Sequence, residues 1–206
     1  MMKPLPNSRQ MPTKKEITAR KEYYDKLYGY LQAISEKDEV TNQRYFKKPS
    51  FLELAENLDL DKNTVSNHFK KLTDMGLIIQ SKIEKKIFFL KEFPIDEAYL
   101  IPKETVEFLA ITQKQHTITV YVHLLRRYIA NGEKPFTFTI DSLKDLCGEC
   151  TSSRNNNKKY TYILSVLRDI GLAECEIKTE TDGVIVKKHW WCNKVCQRYT
   201  PSNRVL

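Results

Sequence analysis

LDLDKNTVSNHFKKLTDMGLI, residues 58–78, sets two leucines either side of a tight turn and then starts a new apolar period. Asp61 stands where a helix N-cap is needed, its short carboxylate within reach of backbone N–H groups one turn on. Val65, Phe69, Leu72 and Met75 follow at helical spacing and predict one buried face. Gly76 supplies the left-handed residue that ends a helix. Just upstream, Ser50 with Glu53 three residues later makes a capping box for FLELAENL, which would bury Phe51, Leu54, Ala55 and Leu58. Downstream, LIIQSKIEKKIFFLK alternates like a hairpin with Glu84, Lys85 and Lys86 at its tip. The order is helix, turn, helix, hairpin.

Further toward the N-terminus, residues 1–13 hold three prolines and no period, and predict a disordered arm. From Lys14 to Ser35, Tyr24, Leu27, Tyr28, Leu31 and Ile34 predict one long amphipathic helix, and RYFKK at 44–48 a short strand. Toward the C-terminus the pattern starts again. Pro102 suits the first turn of a short helix. Residues 117–130 read as an amphipathic helix, FTFTI as a strand, and Thr139 or Asp141 as a cap for SLKDLC. A further helix through Ile163, Leu164, Leu167 and Ile170 stops at Gly171, and a hairpin turns at Thr181, Asp182 and Gly183. The phrase L-x-D-[MI]-G-L ends the third helix in both halves, with Leu167 following Leu72 by 95 residues.

Residues 50–91 resemble a bacterial winged-helix domain, and 58–78 the helix-turn-helix of transcription regulators. The expected fold is mainly α with small β-hairpins (α+β), two winged-helix domains in tandem over residues 14–93 and 94–200, and a short tail at 201–206. Pro94 and three acids between Lys91 and Ile101 mark the expected boundary of separable units. YLIPKETVEFL followed by the second unit is similar to proteins of Gram-positive plasmids and phages, replication initiators among them. That resemblance implies a mobile element.

The composition excludes several classes. The chain has 206 residues, 41% hydrophobic and 29% charged, as in ordinary globular proteins. No apolar run is long enough to span a bilayer, and MMKPLPNSRQMPTKK offers no secretory signal. Five cysteines without an export signal point to a reducing, cytoplasmic setting. No Gly-rich phosphate loop, no H-E-x-x-H and no Cys–His pairing is legible, so no enzyme, no cofactor and no small-molecule substrate is expected. The net charge of +8 is spread over both halves and points to a polyanionic partner.

That partner is expected to be double-stranded DNA, contacted by a monomer or a homodimer. With Val65, Phe69 and Leu72 buried, the opposite helix face offers Lys62, Asn63, Thr64, Ser66, Asn67, Lys70 and, at its edge, Lys71. Asn and Lys make paired hydrogen bonds to adenine and guanine edges, and Thr meets a thymine methyl or a phosphate. His68, at the margin of the apolar face, is expected to pack. Lys82, Lys85 and Lys86 on the hairpin would hold phosphates without reading sequence. In the second unit, Arg154, Asn155, Asn156, Lys158, Lys159 and Thr161 open the corresponding helix. Lys187 and Lys188 precede Trp190 and Trp191, which are expected in the core.

Two alternatives accompany this reading. Cys147 and Cys150 at C-x2-C spacing, with Cys192 and Cys196 at C-x3-C, supply four thiolates of the kind that hold zinc. The winged helices could also serve as a protein-interaction adaptor or inhibitor docking on a host protein. The leading function is a sequence-specific DNA-binding protein, a transcription regulator or a replication initiator.

Overall fold

The computed structural model describes residues 7–20, 23–94, 97–152, 157–182 and 185–198, with side chains left aside at 179–189. Strand β1 (Ser8–Pro12) leads to a single turn of helix, α1 (Lys15–Thr18), and then to α2 (Asp25–Ile34). Strands β2 (Glu36–Lys37) and β3 (Arg44–Lys47) precede α3 (Phe51–Leu58), α4 (Lys62–Asp74), β4 (Ile78–Gln80) and β5 (Ile87–Leu90). Strand β6 (Ala98–Pro102) opens the second half, with α5 (Lys103–Thr112) and α6 (Thr117–Ala130). It continues through β7 (Phe136–Phe138), α7 (Ile140–Leu146), α8 (Asn157–Asp169), β8 (Ala173–Asp182) and β9 (Ile185–Val195). The class is α+β, with small antiparallel sheets, as expected.

Two of the sheets share a logic. The first has the order β2-β3-β5-β4 and the second β7-β9-β8. In each, the strand before a pair of helices joins the last strand of the half, which also pairs with the strand after those helices. The repeated phrase is a repeated helix stop. Gly76 and Gly171 have φ of +67° and +74°. Leu77 N–H donates to the Leu72 carbonyl at 3.0 Å, and Leu172 N–H to that of Leu167 at 2.8 Å. This six-residue closure requires a left-handed residue, which glycine adopts without strain. All four leucines are buried, so the phrase both ends the helix and anchors it.

Four expectations need correction. Residues 8–12 are not an irregular arm, because β1 pairs antiparallel with β6 along its whole length and Met11 is buried. The partner strand lies about ninety residues away, where no local pattern could reveal it. The helix expected over 14–35 is two helices. Its break frees Asp25 to cap α6: the fully buried carboxylate accepts from His116 N–H at 2.8 Å and from Thr119 N–H and Oγ1, both at 2.9 Å. Pro102 closes β6 and caps α5 from outside its first turn.

The fourth correction concerns the boundary at 93/94. One apolar cluster runs from Leu54, Phe69 and Leu72 through Leu27 and Leu31 of α2 to Val106, Leu125 and Leu164. A Cβ on Gly29 would lie 2.5 Å from Ile118 Cδ1 and 3.3 Å from Val106 Cγ1, so the α2 backbone rests on α6 and α5. The repeated topology therefore shares a single core. The tail at 201–206 lies outside the described residues.

Candidate nucleic-acid interface

The capping residues fix α3 and α4 as the turn requires. Ser50 Oγ accepts from Glu53 N–H at 3.1 Å, and Asp61 Oδ1 from Thr64 N–H at 2.8 Å. Between the helices Asp59 adopts φ +50°, which lets Leu60 N–H reach the Ala55 carbonyl at 3.0 Å and turns the chain sharply. Such caps contribute about 1 kcal/mol each. Beneath α4 lies an aromatic cluster. Phe46 and Phe88, direct partners across β3 and β5, stack at 5.8 Å, and Phe69 meets Phe88 edge-on at 5.2 Å. Val65, Phe69 and Leu72 are buried, as expected.

The opposite face of α4 is polar and open. Lys62, Asn63, Asn67 and Lys70 are exposed, and Ser66 is half-buried. Two residues of the expected set are otherwise engaged. The Thr64 hydroxyl turns back onto the Asp61 carboxylate and completes the cap. Lys71 reaches the Tyr24 hydroxyl at 3.3 Å and lies 5.7 Å from that ring. His68 packs, its ring stacked on Tyr24 with centroids 3.4 Å apart. Burial, followed by the nearby Lys71 charge, pushes the His68 imidazole down to about 4, so it is neutral at physiological pH. Tyr24 thus clamps α4 from the start of α2, a role hidden from sequence because it spans 44 residues.

The β4–β5 hairpin carries Lys82, Lys85 and Lys86, all exposed. Lys48, which sequence reasoning passed over, stands beside its tip with its ammonium 4.1 Å from the Phe51 ring centroid and 4.8 Å from that of Phe69. Its backbone N–H donates to the Lys86 carbonyl at 2.8 Å. The cation is held where α3, α4 and the hairpin converge.

In the second half, α8 follows α7 as α4 follows α3, and buries Tyr160, Ile163, Leu164 and Leu167. Lys158 and Thr161 are exposed on it. Lys159 points instead to an ion pair with Glu149, whose Oε1 is also 3.6 Å from His116 Nε2, so it belongs to an internal polar cluster. Arg154, Asn155 and Asn156 lie outside the described residues, as do the side chains of Lys187 and Lys188. Trp190 packs against the core beside Phe138.

The cysteines do not assemble as the zinc alternative required. Cys147 is buried at the end of α7, while Cys192 faces Cys175 across the β8–β9 ladder and donates its thiol to the Lys194 carbonyl at 3.7 Å. Among the described residues no cluster of His, Cys, Asp or Glu is arranged to hold a metal ion. No described helix is long and apolar enough to cross a membrane.

Comparison with known families agrees with this geometry at its centre. Residues 48–80 match the family described as bacterial regulatory protein, arsR family, a helix-turn-helix family. The matched segment contains α3, the turn, α4 and β4, and supports a winged-helix DNA-binding regulator. No curated protein matches the chain.

Proposed function

We propose that the protein is a sequence-specific double-stranded DNA-binding regulator of transcription, built from two winged helices in tandem around a shared core. The observation that carries this reading is α4, whose apolar face is locked into the aromatic cluster while Lys62, Asn63, Asn67 and Lys70 face outward. In a helix-turn-helix the second helix lies in the major groove, with its N-terminal residues at base edges. Lys82, Lys85 and Lys86 on the hairpin then meet the flanking backbone. The equivalent position of α8 makes Lys158 and Thr161 a second, weaker contact. The family match favours regulation over initiation of replication on a mobile element, although both uses begin with the same duplex contact.

The test is a salt titration of duplex binding by fluorescence anisotropy. Several phosphate contacts give a linear fall of log affinity with log salt, with a slope of about −0.9 per phosphate. Affinity that barely responds to salt would remove DNA as the partner and favour a protein-docking role.

A further inference from the structure

A cavity of about 310 Å³ lies at the end of β5 remote from the hairpin tip, between the β1–β6 ribbon and the β2–β3 edge. Its volume is at the lower end of the range for small-molecule sites. Lys37, Arg44 and Lys91 line it against one carboxylate, that of Glu92. Among the described residues none of these three cations lies within ion-pair distance of an acid.

The arrangement costs the fold something. Lys37 and Arg44 are direct cross-strand partners, a pairing of like charges that destabilises a ladder. Arg9 stands next to them, buried, with Nε donating to the Gln32 carbonyl at 2.7 Å and Nη2 to that of Ser35 at 3.4 Å. Burial and then the Arg44 charge push the Arg9 guanidinium down to about 10, so it keeps its charge at neutral pH. The acids that act on it, Glu104 and Glu107, belong to α5 and do not line the cavity.

A second observation concerns the buried wall. Gln32 lines the cavity and is 1% exposed. Its Nε2 donates to the Tyr28 hydroxyl at 2.9 Å, while its Oε1 is buried with no hydrogen-bond partner. An orphaned buried acceptor is costly and calls for a donor. Three cations facing a single acid, beside an acceptor without a donor, have a common complement.

We propose that this cavity binds a small phosphate monoester of nucleotide size, its phosphate held by Lys37, Arg44 and Lys91 and one of its hydroxyl groups donating to Gln32 Oε1 as that buried amide turns toward the ligand. The site is separate from the α4 face and independent of the DNA reading. Lys91 follows the end of β5 opposite the turn that carries Lys82, Lys85 and Lys86.

The test is calorimetric titration of the full chain with adenosine monophosphate and with inorganic phosphate as probes. Saturable binding of both is expected, tighter for the nucleotide, whose ribose supplies the donor. Lys37→Gln with Arg44→Gln should weaken both by roughly a hundredfold, each lost charge-assisted contact being worth about tenfold. Lys91→Gln, at the exposed rim, repeats the test where folding is least at risk, with a loss of about tenfold. Gln32→Met should lower the nucleotide's advantage over phosphate and leave phosphate binding unchanged. No saturable binding, or binding indifferent to these changes, would overturn the proposal. So would a loss of duplex affinity in the double variant of a protein that binds neither probe, because the cations would then be contacts to the DNA backbone.

Discussion

The imidazole of His68 lies flat on the Tyr24 ring, with a tilt of 9° between the planes, and this contact fastens the outward helix of the DNA-binding motif to the start of α2. Protonation would place a charge in a half-buried stack beside Lys71. The folded state therefore binds fewer protons than the unfolded chain below the ordinary histidine value near 6.5. The stability tied to the neutral ring is complete above that value and is lost as pH falls toward about 4. His123 is pushed down to about 4 as well, by burial first and then by Arg127 and Arg126, and adds to the same loss. The expected outcome is a melting temperature that falls from pH 7 to pH 4.5, and falls less in His68→Phe, which keeps the stacked ring. Melting curves of the two proteins across this window check it, and parallel pH profiles would contradict it.

Asp25 is the second joint. It has no exposure and accepts three hydrogen bonds at the start of α6, where His116 takes φ +75°. Asp25→Ala would strand two backbone donors and the Thr119 hydroxyl in the interior. The expected loss is about 3 kcal/mol, because each buried donor left unpaired costs about 1–3 kcal/mol and the three relax together. Denaturant unfolding of the variant measures it. A loss under about 1 kcal/mol would mean that water replaces the carboxylate.

The continuity of the core makes a further outcome definite. A fragment ending at Phe93 removes β6, which pairs with β1, and removes α5 and α6, on which α2 rests. It would uncover Met11 and the α2 face around Gly29 and Ala33, buried in the whole chain. The fragment is expected to be molten or insoluble. A cooperative melt of that fragment alone would show that the first half has an independent core.

How much of this was legible in the sequence follows from the range of each interaction. The caps at Ser50, Asp61 and Thr139, the buried faces of α3, α4 and α8 and the glycine stops all depend on neighbours within a few residues, and each stands where the pattern put it. The break before Asp25 and the strand at Ser8–Pro12 answer to partners about ninety residues away, and no local period encodes them. The site divides in the same way. Exposure of Asn63 and Asn67 follows from helix geometry, whereas the diversion of Lys71 to Tyr24 and of Lys159 to Glu149 depends on which helices come together.

The hairpin lysines should act through charge alone. Lys85→Ala with Lys86→Ala is expected to weaken binding equally on all duplexes and to lower the salt slope by up to about 2. Anisotropy titrations at several salt concentrations on related and unrelated duplexes check it. A loss confined to one base position would show that the hairpin reads sequence.

Asn63 and Asn67 carry no charge, face outward one turn apart on α4, and can each form paired hydrogen bonds to an adenine edge. Selection of bound fragments from a random duplex pool, with the parent protein and with Asn63→Ala/Asn67→Ala in parallel, tests the central claim most directly. The parent is expected to enrich a defined motif. The double variant should retain non-specific affinity and lose preference at the positions the two residues face, about 1–3 kcal/mol of discrimination for each paired contact. The same motif, enriched to the same degree by both proteins, would contradict the assignment of α4 as the reading helix.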